Sequence, residues 1–217
     1  MLYQIAYLFI IFIIYSLFGW TVEIIAVYLD TKKIINRGFL IGPYCPIYGV
    51  AALILVLVLS KYKHDIINFY ILFVVIASVL EYFTSYLLEK MFNARWWDYS
   101  HIKYNLNGRI CLINSLAFGV LGTFVCYLLN PLLISVLDVI PKNALIIISL
   151  IIMILFIIDL CISFKIITRL KKNIVLLNKD MTEDINKQVV NFIEKNHILK
   201  AFPLLNEKID SNKKNNS

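Results

Sequence analysis

The chain reads as an all-α polytopic membrane protein, with about five transmembrane helices followed by a cytoplasmic amphipathic helical tail. Three observations predict this. Its 217 residues are 60% hydrophobic, above the usual share for a soluble domain, and the apolar residues fall in runs near the ~20 residues that span a bilayer. None of these runs alternates polar and apolar residues as a strand of a membrane barrel does. The basic residues gather in every second connector, as topology-setting lysines and arginines do.

The first span is expected at Ile5–Leu29. It has no basic leader and is longer than the ~7–15 apolar residues of a cleavable signal, so it is expected to remain as a helix. Ser16, Gly19, Trp20 and Glu23 recur on it at helical spacing. The connector after it, about Asp30–Pro43, carries Lys32, Lys33 and Arg37. The stretch Arg37–Gly49 holds Gly38, Gly42, Pro43 and Pro46, which makes its backbone irregular. Irregular backbone near membrane depth is tolerated where protein buries it or where it lines a wet cavity. The loop is therefore expected to fold back into the membrane body. The alternative is an ordinary turn leading to a proline-started helix.

The second span is expected at Tyr44–Ser60 and the third at Ile67–Leu88. On the third, Glu81, Ser85 and Glu89 lie four apart and share one stripe. The connector that follows, about Glu89–Arg109, contains Arg95-Trp96-Trp97-Asp98-Tyr99-Ser100 and then Asn105, Gly108 and Arg109. A plain linker needs none of this chemistry, although tryptophans and tyrosines also collect at headgroup level as an interface belt. The fourth span, Ile110–Leu129, carries Cys111, Ser115 and Gly119 four apart, a spacing that also suits close helix packing. The fifth, Asn143–Ile167, carries Asp159, for which a structural ion pair is the competing reading. Loop four is expected at Ile134–Lys142.

Residues 1–169 thus form a transmembrane domain and residues 170–217 a polar tail. Ile174, Leu177, Met181, Ile185, Val189 and Phe192 give the tail an amphipathic helix over about 173–196, with Ser211–Ser217 disordered. The basic connectors after spans one and three and the exit of span five favour the N-terminus outside and the C-terminus inside. The net charge of +7 is accounted for by this topology and does not point to nucleic acid. Cys45, Cys111, Cys126 and Cys161 have no metal-ligand spacing, and no Walker A sequence occurs, so neither a metal, a cofactor nor intrinsic ATP hydrolysis is expected.

An ionisable side chain inside a membrane is costly and faces a partner or a cavity. Glu23, Arg37, Glu81, Ser85, Glu89, Arg95, Trp96, Trp97, Asp98, Asn105, Arg109, Cys111 and Ser115 are therefore the candidates for a polar vestibule near the cytoplasmic face. Arg37, Arg95 and Arg109 are the expected counter-charges for Glu23 and Glu81, because a guanidinium meets a carboxylate bidentately.

The blocks Phe18-Gly19-Trp20 with Glu23, Arg37-Gly38-Phe39-Leu40, Gly42-Pro43, Pro46-Ile47-Tyr48-Gly49, Glu81-Tyr82, Arg95-Trp96-Trp97-Asp98-Tyr99-Ser100 and Gly108-Arg109-Ile110-Cys111-Leu112 occur in this order over roughly residues 10–165. In this the chain resembles the ABC-transporter type IV family of bacterial multi-pass membrane proteins. The resemblance implies a bacterial cell-membrane protein carrying a permease label, with no defined substrate and no catalytic residues to carry over. It also implies a separate ATPase subunit docking from the cytoplasm. Phe118 stands where the family pattern has tryptophan.

Three functions stay open at this point. The first is a membrane permease or transport-associated subunit, acting in the bilayer with an ATPase partner or as a homo-oligomer. The second is a non-catalytic scaffold or regulatory protein whose tail recruits partners. The third is an integral-membrane enzyme acting on a lipid or membrane peptide, drawing on Cys111, Ser115 and His101.

Overall fold

In a computed structural model the described residues are 1–32, 36, 38–92 and 95–171. Arg37 and the tail expected to be helical over about 173–196 lie outside them. The chain order is α1 (Leu2–Thr31), α2 (Pro46–Leu57), a short 3-10 turn (Leu59–Tyr62), α3 (Ile66–Phe92), strands β1 (Asn105–Leu106) and β2 (Ile110–Cys111), α4 (Leu112–Phe124), α5 (Asn130–Val139) and α6 (Lys142–Lys171). A π-helical turn, Val125–Leu129, joins α4 to α5 without a break. Among the described residues, four helical rods are long and apolar enough to cross a membrane: Leu2–Leu29, Ile66–Phe92, Leu112–Val139 and Lys142–Thr168.

Two expected spans need correction. The segment expected as a full helix over Tyr44–Ser60 holds only the 12 residues of α2. At 1.5 Å per residue it rises ~18 Å, against a hydrocarbon core of ~30 Å. The prolines explain the late start. Pro46 sits at the first helical position, where a missing N–H costs nothing, and it holds Cys45 in extended backbone (φ −112°, ψ 95°). The fourth rod does not stop at Leu129 but continues to Val139, leaving a turn where loop four was expected. Pro131 would normally break a helix by clashing with the preceding turn. Here the wider π-helical turn immediately before it accommodates the proline.

The packing is built on close backbone approach. A Cβ added at Gly49 would lie 2.3 Å from Ser16 Oγ and 2.5 Å from the Phe12 carbonyl, so α2 presses directly on α1. A Cβ at Gly119 would lie 2.3 Å from Val74 Cγ2, which shows α4 equally tight on α3. The apolar core joins Ile11 and Tyr15 of α1, Ala52 and Leu55 of α2, Phe69, Phe73 and Ala77 of α3, and Val125 and Leu137 of the fourth rod. On α3 the buried positions Phe69, Phe73, Ala77, Glu81 and Ser85 form one stripe that turns from apolar to polar over its last two members. Outward faces stay apolar, with Ile147, Ile151, Ile154 and Ile158 of α6 all exposed. An apolar surface of that extent belongs against lipid rather than water.

One end of the bundle is closed by helix-turn contacts: the Tyr7 hydroxyl reaches Asp138 Oδ1 and the Tyr127 hydroxyl donates to the Lys63 carbonyl. The other end carries the loop before α2 and the folded connector between α3 and α4. This is the connector end.

Candidate functional site: a cavity at the connector end

The loop before α2 runs into the bundle. The Cys45 amide donates to the carbonyl of Ser16, in the middle of α1, so residues 38–45 lie alongside helices rather than above them. Backbone polar groups placed there need partners. Asn36 provides several. Its Oδ1 accepts from the Gly38 amide and from Trp20 Nε1, and its Nδ2 donates to the carbonyls of Leu40 and Ile41. From α6, Ser163 Oγ accepts the Ile41 amide at 3.0 Å and Asp159 Oδ2 accepts the Gly42 amide at 3.2 Å. Asp159 is thus a clamp on the loop backbone.

The connector is a compact cap. Asn107 and Gly108 take left-handed backbone (φ 54° and 68°) and turn a hairpin whose register pairs Asn105 with Cys111 and Leu106 with Ile110. Gly108 is required twice, because a Cβ there would also sit 2.4 Å from Asp98 Oδ1. Asp98 receives the Ser100 amide and hydroxyl, and Asn105 receives the Gly108 amide while donating to the Ile102 carbonyl.

Beneath this cap the charged residues of the connector meet one acid. Arg95 Nε and Arg109 Nη2 each lie 2.9 Å from Glu89 Oε2, and Arg95 Nη2 reaches Glu89 Oε1 at 3.4 Å. Arg95 Nη1 lies 3.6 Å from Asp98 Oδ1. The Arg109 guanidinium also stacks over the rings of Tyr82 and Tyr86, at 5.3 and 5.4 Å. All four charged members of this network are largely buried, so the pairing matters more than it would on a surface.

Next to the network lies a cavity of about 330 Å³. Its deep part is apolar, lined by residues such as Leu55, Phe73, Ala77, Phe118 and Val125. Its polar wall carries Glu23, Tyr48, Glu81, Thr84 and Tyr99, with Trp96 and Trp97 beside them. The Tyr48 hydroxyl donates to Glu23 Oε1 at 2.5 Å and the Tyr99 hydroxyl donates to Glu81 Oε1 at 3.2 Å. Glu81 is only 4% exposed, and its Oε2 is buried with no hydrogen-bond partner among the described residues.

Of the expected vestibule residues, Glu23, Glu81, Trp96 and Trp97 line this cavity. Glu89, Arg95, Asp98, Asn105 and Arg109 build the adjacent cap instead. Ser85, Cys111 and Ser115 are buried but are not part of the cavity lining. The expected use of Arg95 and Arg109 as counter-charges for Glu23 and Glu81 is not what the geometry gives: both guanidiniums are engaged by Glu89. An acid at the end of its helix is simply nearer to the connector than one two turns inside it. The vestibule is also less polar than expected, because most of its lining is hydrocarbon.

The family model described as "Putative ABC-transporter type IV" matches residues 10–164, which takes in the bundle, the loop and the cap. The chain belongs to this family. No curated protein and no solved structure matches it. With its four long apolar helices, the ABC-transporter type IV chain is a membrane protein.

Sequence reasoning passed over Tyr48, Tyr82 and Asn36 as site residues. Each lies within or beside a quoted motif, but a tyrosine in an apolar run reads first as packing, and Asn36 sits in a connector with no periodicity to flag it.

Proposed function

We propose that this ABC-transporter type IV protein is a bacterial cell-membrane permease or transport-associated subunit, and that the cavity at its connector end is where substrate binds. One observation carries the reading: a carboxyl that is 4% exposed, with one oxygen unpartnered, forms part of the wall of a cavity of about 330 Å³ inside an apolar bundle. That volume lies at the lower end of the ~300–1,000 Å³ common for ligand pockets. A buried acid without full hydrogen bonding is destabilising unless its environment is built for a ligand or a proton.

In this reading the chain crosses the membrane five times with its N-terminus outside. The second crossing consists of the bends of residues 38–45 followed by α2, an interrupted span like the broken helices that transporters use around substrate sites. The cap faces the cytoplasm and offers, with the tail, a surface for a separate ATPase. The enzyme alternative loses its main candidates, since Cys111 and Ser115 lie off the cavity and His101 is exposed on the cap.

The test is two-sided access. In proteoliposomes of known orientation, a membrane-impermeant maleimide should label Thr84→Cys from the connector side. It should label Leu55→Cys from the opposite side once the partner ATPase and ATP are supplied. Labelling of both positions from one side only, under every condition, would rule out a pathway through the cavity.

A further inference from the structure

We infer that the cavity takes a single apolar chain bearing an ammonium head, with the head against Glu81 and the chain running toward Phe73 and Val125. This deepens the proposed function and rests on the cavity being its ligand site. The division of the lining sets the orientation. Glu23 pairs with Tyr48 and Glu81 with Tyr99, and they line the cavity together with Trp96 and Trp97, while the remainder, Tyr15, Cys45 and Thr84 aside, is mostly hydrocarbon. An amphiphile entering head-inward would desolvate its charge among leucines and phenylalanines, whereas the reverse pose places it at a carboxylate.

The sign of the head follows from the same wall. Two carboxyl side chains line the cavity and no basic residue occurs among the described residues lining it. Arg95 and Arg109 are nearby but held by Glu89. Glu81 Oε2 is buried and unpartnered among the described residues, on a side chain that lines the cavity, while Oε1 already has the Tyr99 hydroxyl. An ammonium supplies the missing donor with charge assistance, and indole faces favour a cation over an anion. An ionised fatty carboxylate offers no hydrogen-bond donor to Glu81 Oε2.

The experiment uses the full chain in lipid nanodiscs with radiolabelled dodecylamine, dodecanoate and dodecanol. Dodecylamine should bind at one equivalent, and dodecanoate at least tenfold more weakly. Glu81→Gln should weaken dodecylamine by roughly tenfold or more, the usual weight of a hydrogen bond to a charged group, while dodecanol is unchanged. Ala77→Trp should fill the apolar part and abolish binding of both. If Glu81→Gln does not insert, Thr84→Lys gives the same readout, because a tethered ammonium on the same wall should repel the amine. Nanodiscs with and without an ammonium-headed phospholipid separate the two sources of such a head: competition by the bilayer identifies a lipid, and its absence identifies a ligand arriving from water. Dodecanoate binding as tightly as the amine, or amine binding unchanged in a folded Glu81→Gln protein, would overturn the inference. Either result leaves the two-sided labelling of the cavity untouched, so the transport reading fails or stands separately.

Discussion

Asp159 on α6 accepts the backbone amide of Gly42 at 3.2 Å, across 117 residues of chain. An acid in the long span of highest hydropathy among the described residues is thereby assigned to holding a loop, and Ser163 one turn later holds the neighbouring amide of Ile41. Asp159→Ala should destabilise the protein by roughly 0.6–2 kcal/mol, the range for interhelical hydrogen bonds in membranes. Asp159→Asn keeps an acceptor and should cost less. Thermal unfolding of the two variants in detergent checks this, and equal losses would mean that the charge rather than the hydrogen bond matters.

Gly49 sets the distance between α1 and α2. Its added Cβ would meet Ser16 Oγ and the Phe12 carbonyl, and the second of these is backbone that cannot swing aside. Gly49→Ala should therefore cost about 1–3 kcal/mol as an overpacked contact. Gly42→Ala should cost less, because the atoms met there belong to the side chain of Tyr44, which can move. Comparing the melting temperatures of the two variants decides between them.

Glu89 holds two guanidiniums at once, so its loss takes away the acid that Arg109 meets and leaves Arg95 with Asp98 alone. Glu89→Gln should destabilise the cap by about 3–5 kcal/mol, as removing one member of a buried ion pair does. Hydrogen exchange should rise across residues 95–111 and stay unchanged in α6. Arg109→Lys should give a weaker version of the same effect, because an ammonium can meet Glu89 but cannot stack as a plane on Tyr82 and Tyr86.

Trp96 is 3% exposed and packs against Phe39 and Phe92, so it is a core residue and not a lipid-facing anchor. In a variant whose only tryptophan is Trp96, emission should be blue-shifted and resistant to quenching by spin-labelled phospholipids. Strong quenching at headgroup depth would return the residue to an interface belt.

Much of the helical framework was legible because hydrocarbon runs report directly on bilayer-crossing length. Predicted and observed limits of α1, α3 and α6 differ by only a few residues. Two places misled for local reasons. Pro43 and Pro46 mark irregular backbone, yet the apolar run after them still reads as a full span, because hydropathy cannot distinguish a half-length helix from a full one. Asn130-Pro131 marked a plausible helix end, and nothing in the sequence discloses a π-helical turn that lets the rod continue. In the site, Glu23 and Glu81 were found by the cost of burying charge, a rule that works residue by residue. Their tyrosine partners were not, since pairing Tyr99 with Glu81 depends on how the connector folds back over α3. The same fold-back directs Arg95 and Arg109 to Glu89, which no spacing rule indicates.

The loop before α2 is synthesised early and completed late. Its amides at Ile41 and Gly42 find their acceptors on a helix made more than a hundred residues afterwards. Until α6 is in place, those two amides lack the acceptors they have in the folded chain, so the loop they anchor is expected to be fixed last. A ribosome-bound chain stopped after α5 should expose residues 38–45 to proteolysis, and release of α6 should protect them. Maturation of the cavity is thereby tied to synthesis of the final helix, and a truncated chain should be recognisable as unfinished.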